Sequence, residues 1–216
     1  MKNILLFHYF GGAGGKFIAN CLTYSGKVAF QNFKIAQEVL EKNDFFLLEQ
    51  ALLNLIPEKD QGRTWLDREQ GCFQLFGDGI NLVRTGAKGP LKFTPTDQLK
   101  NIWLPIMTHD ITEFNNCLNY FSQDRVFTVL VHSTPGFIDL AIRRKWPEKH
   151  HCLDPDLYAV FLKNLEKIKF NFVFNNWNPL DSNEHYQITK LAEHLGINFN
   201  LNLAKNYINK YIEFHL

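Results

Sequence analysis

Between an apolar run, Ile4-Leu5-Leu6-Phe7-His8-Tyr9, and an amphipathic stretch beginning at Phe17 lies Phe10-Gly11-Gly12-Ala13-Gly14-Gly15-Lys16. Glycine has no Cβ, so this backbone can take left-handed turns and let another group approach closely. The run before it is short, apolar and bounded by glycine, which suits a buried parallel strand. After it, Phe17, Ile18, Cys21, Leu22 and Tyr24 recur at helical spacing, and Gly26 supplies a stop. The pattern predicts strand, glycine loop, helix. Such a turn offers backbone N–H groups and a helix N-terminus to an anion. Lys16 adds a mobile positive charge at its mouth. The plainer use of the same residues is a tight turn with an incidental lysine.

The rest of the chain continues the alternation. Apolar positions from Phe33 to Ile56 suit one long helix or two shorter ones, ended by Pro57. Ile102–Thr108 and Val126–Val131 are predicted strands, ending at His109-Asp110 and His132-Ser133-Thr134-Pro135-Gly136. Helices are expected over 114–121, from Phe137 through Ile142, and from Asp154-Pro155 through Leu165. Phe170–Phe174 is a further strand, and a last helix over about 183–195 stops at Gly196. Strands alternating with helices predict an α/β fold with a mostly parallel central sheet flanked by helices. With no internal repeat and no low-complexity linker, residues 1–216 are expected to form one domain. Residues 58–100, where short apolar pieces sit among Gly, Asp, Lys and Pro, are a candidate lid or substrate-binding insertion. Trp65, Phe73 and Phe76 would line an acceptor pocket there.

Composition narrows the function. The 216 residues carry 23 Lys+Arg against 22 Asp+Glu, a net charge of +1, which disfavours a broad nucleic-acid surface. Hydrophobic residues at 45% and charged residues at 21% are those of a soluble globular chain, not a disordered one. No apolar run approaches the roughly 20 residues needed to span a bilayer. The N-terminal apolar run is too short for a signal peptide. Cys21, Cys72, Cys117 and Cys152 are scattered as reduced thiols would be. The expectation is a cytoplasmic protein with no nucleic-acid or membrane partner. His150-His151-Cys152 is expected to be a surface loop, since adjacent residues rarely share a metal and no second cluster has ligand spacing.

The loop is not a Walker A motif, G-x-x-x-x-G-K-[ST]. Phe10 occupies the first glycine position and Phe17 the position of the hydroxyl that would hold Mg²⁺. The segment instead resembles the 5′-phosphosulfate loop of the sulfotransferase family, a pattern like Y-P-K-S-G-T-T-W-L. With Phe17 on the family Trp, Gly12 falls on the loop lysine, so Lys16 would serve from a neighbouring position. Pro105–Asp110 is similar to the family's K-T-H-L-P strand end. Arg125–Arg144 resembles its 3′-phosphate segment, V-x-R-N-P-x-D-x-x-x-S, with His132 in place of Arg and Leu140 in place of Ser. Ile188–Ile197 resembles a late helix of the family. Together these segments cover about a third of the chain.

The resemblance implies a three-layer P-loop-like fold. It implies 3′-phosphoadenosine 5′-phosphosulfate as co-substrate, with no metal, and a small-molecule or glycan acceptor bearing a hydroxyl or amine. Gly11, Gly12, Ala13, Gly14, Gly15, Lys16 and Phe17 would hold the 5′-phosphosulfate. His132, Ser133 and Arg143 would lie near the 3′-phosphate, with Thr134 beside them. Lys16 would stabilise the leaving group and His109 would take the acceptor's proton. The residues alone leave His109 open to a plain loop role, and Arg143-Arg144-Lys145 to a solvated helix end. The alternatives are a P-loop nucleotide or small-molecule kinase, and a non-catalytic binding module with the same fold.

Overall fold

Alternating strands and helices can bury both faces of a sheet only if helices cover each side. The computed structural model shows this arrangement over residues 3–10, 13–31, 71–77, 79–83, 91–93, 101–122, 125–134, 155–166 and 168–215, with single positions at 38, 42 and 136; the structural statements below concern these residues. The strands are β1 (Asn3–Tyr9), β2 (Cys72–Phe76), β3 (Gly79–Val83), β4 (Leu91–Phe93), β5 (Trp103–Thr108), β6 (Val126–Ser133) and β7 (Phe172–Trp177). The helices are α1 (Gly15–Thr23), α2 (Ile111–Tyr120), α3 (Pro155–Leu165), α4 (Tyr186–His194) and α5 (Lys205–His215). The sheet order is β4-β3-β2-β5-β1-β6-β7. Strands β2, β5, β1, β6 and β7 run parallel, and β3 and β4 are added antiparallel. This is a three-layer, mostly parallel α/β architecture.

β1 is the central strand because its side chains are apolar on both faces. Leu5, Phe7 and Tyr9 pack under α1, α4 and α5, and Ile4 and Leu6 face α2. The helix after β1 covers one face of the sheet and the helix after the neighbouring β5 covers the other, so the carboxyl ends of these two strands form a topological switch point. Open α/β sheets bind ligands at such a switch point. The glycine loop leaves β1 there.

The stretch expected as a lid or insertion supplies β2, β3 and β4, a meander that widens the sheet. Phe73 is fully buried against Phe93, while Phe76 is exposed at the hairpin end. The two fall on opposite faces of β2, so they do not line one pocket. Gly71 N–H donates to Gln31 O at 2.6 Å, which brings the chain before β2 back beside the segment that follows α1. Trp65, the expected helices over 33–56 (apart from positions 38 and 42) and 137–142, Arg143-Arg144-Lys145 and His150-His151-Cys152 lie outside the described residues. Cys21, Cys72 and Cys117 are buried thiols. No helix among the described residues is long and apolar enough to cross a membrane.

One polar side chain interrupts β1. His8 is 1% exposed, and its ring packs against Phe114, Phe161 and Phe170. The hydroxyl of Thr108 donates its proton to Phe7 O at 2.9 Å. The Thr108 oxygen therefore accepts from His8 Nδ1–H, at 3.0 Å. Among the described residues, Nε2 of His8 has no hydrogen-bond partner. Burial, helped by the nearby His109, lowers the imidazole pKa from 6.5 to about 4. As pH falls below 6.5 the unfolded chain takes up a proton at this site and the folded chain does not until about 4. Stability must then fall across that window, by about 3 kcal/mol from this residue. Denaturant melts at pH 7 and pH 4.5 should show this loss in the wild type, and a smaller loss in His8→Met.

Candidate functional site

The loop from β1 to α1 is held by three features. Gly14, the N-cap of α1, has φ 81°, a left-handed conformation costly for any side chain. Gly15 lies against the ring of Tyr9, so a Cβ there would overlap it. Ala13 N–H donates to Phe10 O at 2.9 Å, closing a tight turn, and Ala13 O accepts from the hydroxyl of Ser133 on β6 at 2.7 Å. The glycines described here thus have structural work of their own. No side chain caps α1, and no hydrogen bond among the described residues uses the N–H groups of Gly15, Lys16 or Phe17. Three parallel donors at a helix N-terminus, with the half-buried Lys16 among them, form an anion-facing end.

Several expected ligand contacts need correcting. The Ala13 amide is spent on the turn, so it cannot donate to an anion. The single hydroxyl proton of Ser133 is spent on the loop, so Ser133 holds the cradle rather than lining it. The ring of Phe17 is 1% exposed and packs on Trp177, His185, Tyr207 and Tyr211, so only its N–H is on offer. Gly11, Gly12 and Arg143 lie outside the described residues. His132 alternates with Ser133 along β6, which puts it on the sheet face opposite α1, the face that carries His8. It therefore does not share the loop face with Lys16.

His109 does share that face. Its ring meets the Tyr9 ring edge-on with centroids 4.6 Å apart, and its Nδ1 lies 3.3 Å from Tyr9 O. A carbonyl only accepts, so Nδ1 carries the proton and Nε2 the lone pair. Burial pushes the His109 pKa below its usual 6.5; the carboxylate of Glu113 opposes this most strongly, and the Lys16 ammonium adds to the depression. At neutral pH the imidazole is uncharged with an acceptor nitrogen, as a general base requires. Asp110 does not orient it. Its carboxylate caps α2 by accepting from Glu113 N–H at 2.8 Å.

Glu113 was not legible as a site residue from composition or spacing of charges. Its Oε2 accepts from the backbone N–H of His109 at 2.9 Å. The signal that points to it is Asp110-x-x-Glu113 before an apolar run, the pattern of a helix capping box. Behind the loop, Trp177 is carried under Phe17 by an irregularity between β6 and β7: Val131 pairs with Phe174 and Ser133 with Trp177, one residue more on β7. Asn176 absorbs the extra residue at φ 50°, a conformation that asparagine tolerates.

No known protein family matches the sequence, and no curated protein matches it. Among solved structures, the chain is similar to shikimate kinase from Bacteroides thetaiotaomicron, at 12% identity and a TM-score of 0.40, over 90% of this chain and 99% of that one. It is also similar to a sugar kinase from Janibacter sp. HTCC2649, at 12% identity and a TM-score of 0.42, over 91% of this chain and 96% of that one.

The bond from Ser133 to Ala13 is buried, so removing it strands a carbonyl. Ser133→Ala should cost about 1–3 kcal/mol in chemical denaturation. Faster amide exchange should be confined to residues 13–17.

Proposed function

We propose that this protein is a transferase that holds the phosphate of a nucleotide donor at the N-terminus of α1 and moves a charged oxyanion group to a hydroxyl or amine acceptor. The observation that carries the reading is the juxtaposition at the end of β1. The uncapped first turn of α1 and Lys16 lie on the same sheet face as a neutral His109 whose Nε2 is an acceptor.

The group transferred is, on our first reading, sulfuryl, with 3′-phosphoadenosine 5′-phosphosulfate as donor and a small-molecule or glycan acceptor. Phe17 supports it, because a P-loop kinase has a metal-holding hydroxyl at that position and here the ring is an anchor of the core. In the transfer, the acceptor oxygen or nitrogen forms a bond to sulfur as the bond from sulfur to the 5′-phosphate oxygen breaks. The acceptor's proton goes to His109 Nε2. The charge left on the phosphate falls to the N–H groups of Gly15, Lys16 and Phe17 and to the Lys16 ammonium. His132 on the opposite sheet face leaves the 3′-phosphate to other residues.

Phosphoryl transfer is the second reading. The observation that favours it is the Gly15-Lys16 pair in the first turn of α1, the location of the G-K pair in a Walker A loop.

Titration calorimetry separates the two. Binding of 3′-phosphoadenosine 5′-phosphate without added metal supports the sulfuryl donor. ATP binding that requires Mg²⁺, with no response to the bisphosphate, supports the kinase. No response to either at millimolar ligand overturns the donor site. With the donor that binds, Lys16→Ala should weaken donor binding at least tenfold. His109→Ala should lower turnover on a panel of hydroxyl and amine acceptors by about 10²–10⁴-fold. Neither variant should shift the thermal midpoint by more than a few degrees. Loss of folding in His109→Ala would assign that residue a structural role instead.

A further inference from the structure

The N-terminus of α2 is wired differently from an ordinary capping box. There the N-cap side chain accepts from the N–H of the third helical residue, and that residue's carboxylate returns to the N–H of the N-cap itself. The first half is present: Asp110 Oδ1 accepts from Glu113 N–H at 2.8 Å. The second half is displaced by one residue. Glu113 Oε2 reaches past Asp110 to the N–H of His109, at 2.9 Å.

We propose that Glu113 is a positioning residue that fixes the tautomer and the basicity of His109; the catalytic meaning of this rests on His109 being the base of the proposed transfer. The carboxylate holds the His109 backbone at the end of β5. From there the ring reaches the last residue of β1, where Nδ1–H donates to Tyr9 O and the ring edge packs on the Tyr9 ring. With Nδ1 engaged, Nε2 is the nitrogen left to take a proton. The same carboxylate places a negative charge beside a ring that must become positive when it does so. Among the described residues, the charged and titratable groups around His109 are Glu113 from α2, Asp110 at its N-cap, Lys16 from α1, and His8 and Tyr9 from β1. Of these, Glu113 does most to favour the imidazolium, and Lys16 disfavours it. Glu113 does not touch the ring, so it acts through the backbone and through its charge.

Histidine-selective ¹⁵N NMR on the full chain tests this without a turnover assay, with the His109 signal assigned by its loss in His109→Gln. In the wild type the signal should be that of the Nδ1–H tautomer. Glu113→Gln keeps an acceptor for the His109 N–H and removes the charge. It should keep the tautomer and move the His109 titration to lower pH. Glu113→Ala removes both and should also mix the tautomers. An Nε2–H tautomer in the wild type overturns the proposal, and that result needs no variant to fold. So does an unchanged His109 titration in a folded Glu113→Gln. The donor reading fails separately, as an absence of any change in the wild-type amide spectrum on adding 3′-phosphoadenosine 5′-phosphate. Should His109 respond as expected while His109→Gln keeps full turnover, the positioning stands and the base assignment falls.

Discussion

The ring of Tyr9 lies where a side chain at position 15 would have to be, and the turn out of β1 is arranged around that contact. Tyr9 is the last residue of the central strand, and Gly15 is the first of the helix that covers it. Because position 15 carries only hydrogens, α1 can start directly over the strand end. Gly14 supplies the left-handed step that turns the chain, and Ser133 ties the loop to β6. Phe17, two residues on, is then driven into the layer formed by Trp177, His185, Tyr207 and Tyr211. The helix start is fixed from below by packing, and its first amides have no acceptors among the described residues. Tyr9 also accepts from His109 through its carbonyl, so one residue sets the place of the cradle and of the imidazole.

His8 and His109 both lie at the carboxyl end of the sheet, and burial lowers the pKa of each. His8 is neutral because it is buried among phenylalanines, with Thr108 accepting from Nδ1–H and no hydrogen-bond partner for Nε2 among the described residues. His109 is pulled two ways, by burial and Lys16 against Glu113 and the Tyr9 carbonyl. The difference lies in the company each keeps. A buried imidazole in an apolar box has little to favour its charged form, whereas one beside a carboxylate and a carbonyl has groups that partly oppose the effect of burial. Adjacent sequence positions did not decide this: Asp110 is next to His109 and serves the helix, while Glu113, four residues away, serves the histidine.

Much of the architecture was legible because its signals are local. The run before the glycines, Ile102–Thr108 and Val126–Val131 announced parallel strands by apolar length, and Gly26 and Gly196 announced helix ends that the structure places in left-handed conformations, at φ 69° and 67°. The meander strands β2 to β4 were less legible. They are short, and what makes them strands is pairing across the sheet, a non-local interaction with no period of its own in the sequence. The helix over 205–215 was missed for a related reason. Its apolar positions, Tyr207, Ile208, Tyr211 and Ile212, do recur at helical spacing, but the stretch is short and rich in Asn and Lys; its place is fixed by Tyr207, whose hydroxyl accepts from Asn20 at 3.0 Å, and by Tyr211 against Phe17.

The sequence by itself determined that a strand would run into a glycine turn and then a helix, and that the chain would build an α/β sheet. Those outcomes follow from side-chain periodicity and from where a backbone can do without Cβ. It also brought forward Lys16 and His109 as chemistry-bearing residues. Only the tertiary structure decided what each loop residue is free to do. Hydrogen-bonding capacity is finite, and the partners that consume it come from elsewhere in the chain. Ser133 and the amide of Ala13 are used up in holding the turn, Phe17 is used up in the core, and His132 lies on the wrong face of the sheet. Glu113 gains a role because α2 begins where β5 ends, which brings its carboxylate to the backbone of His109.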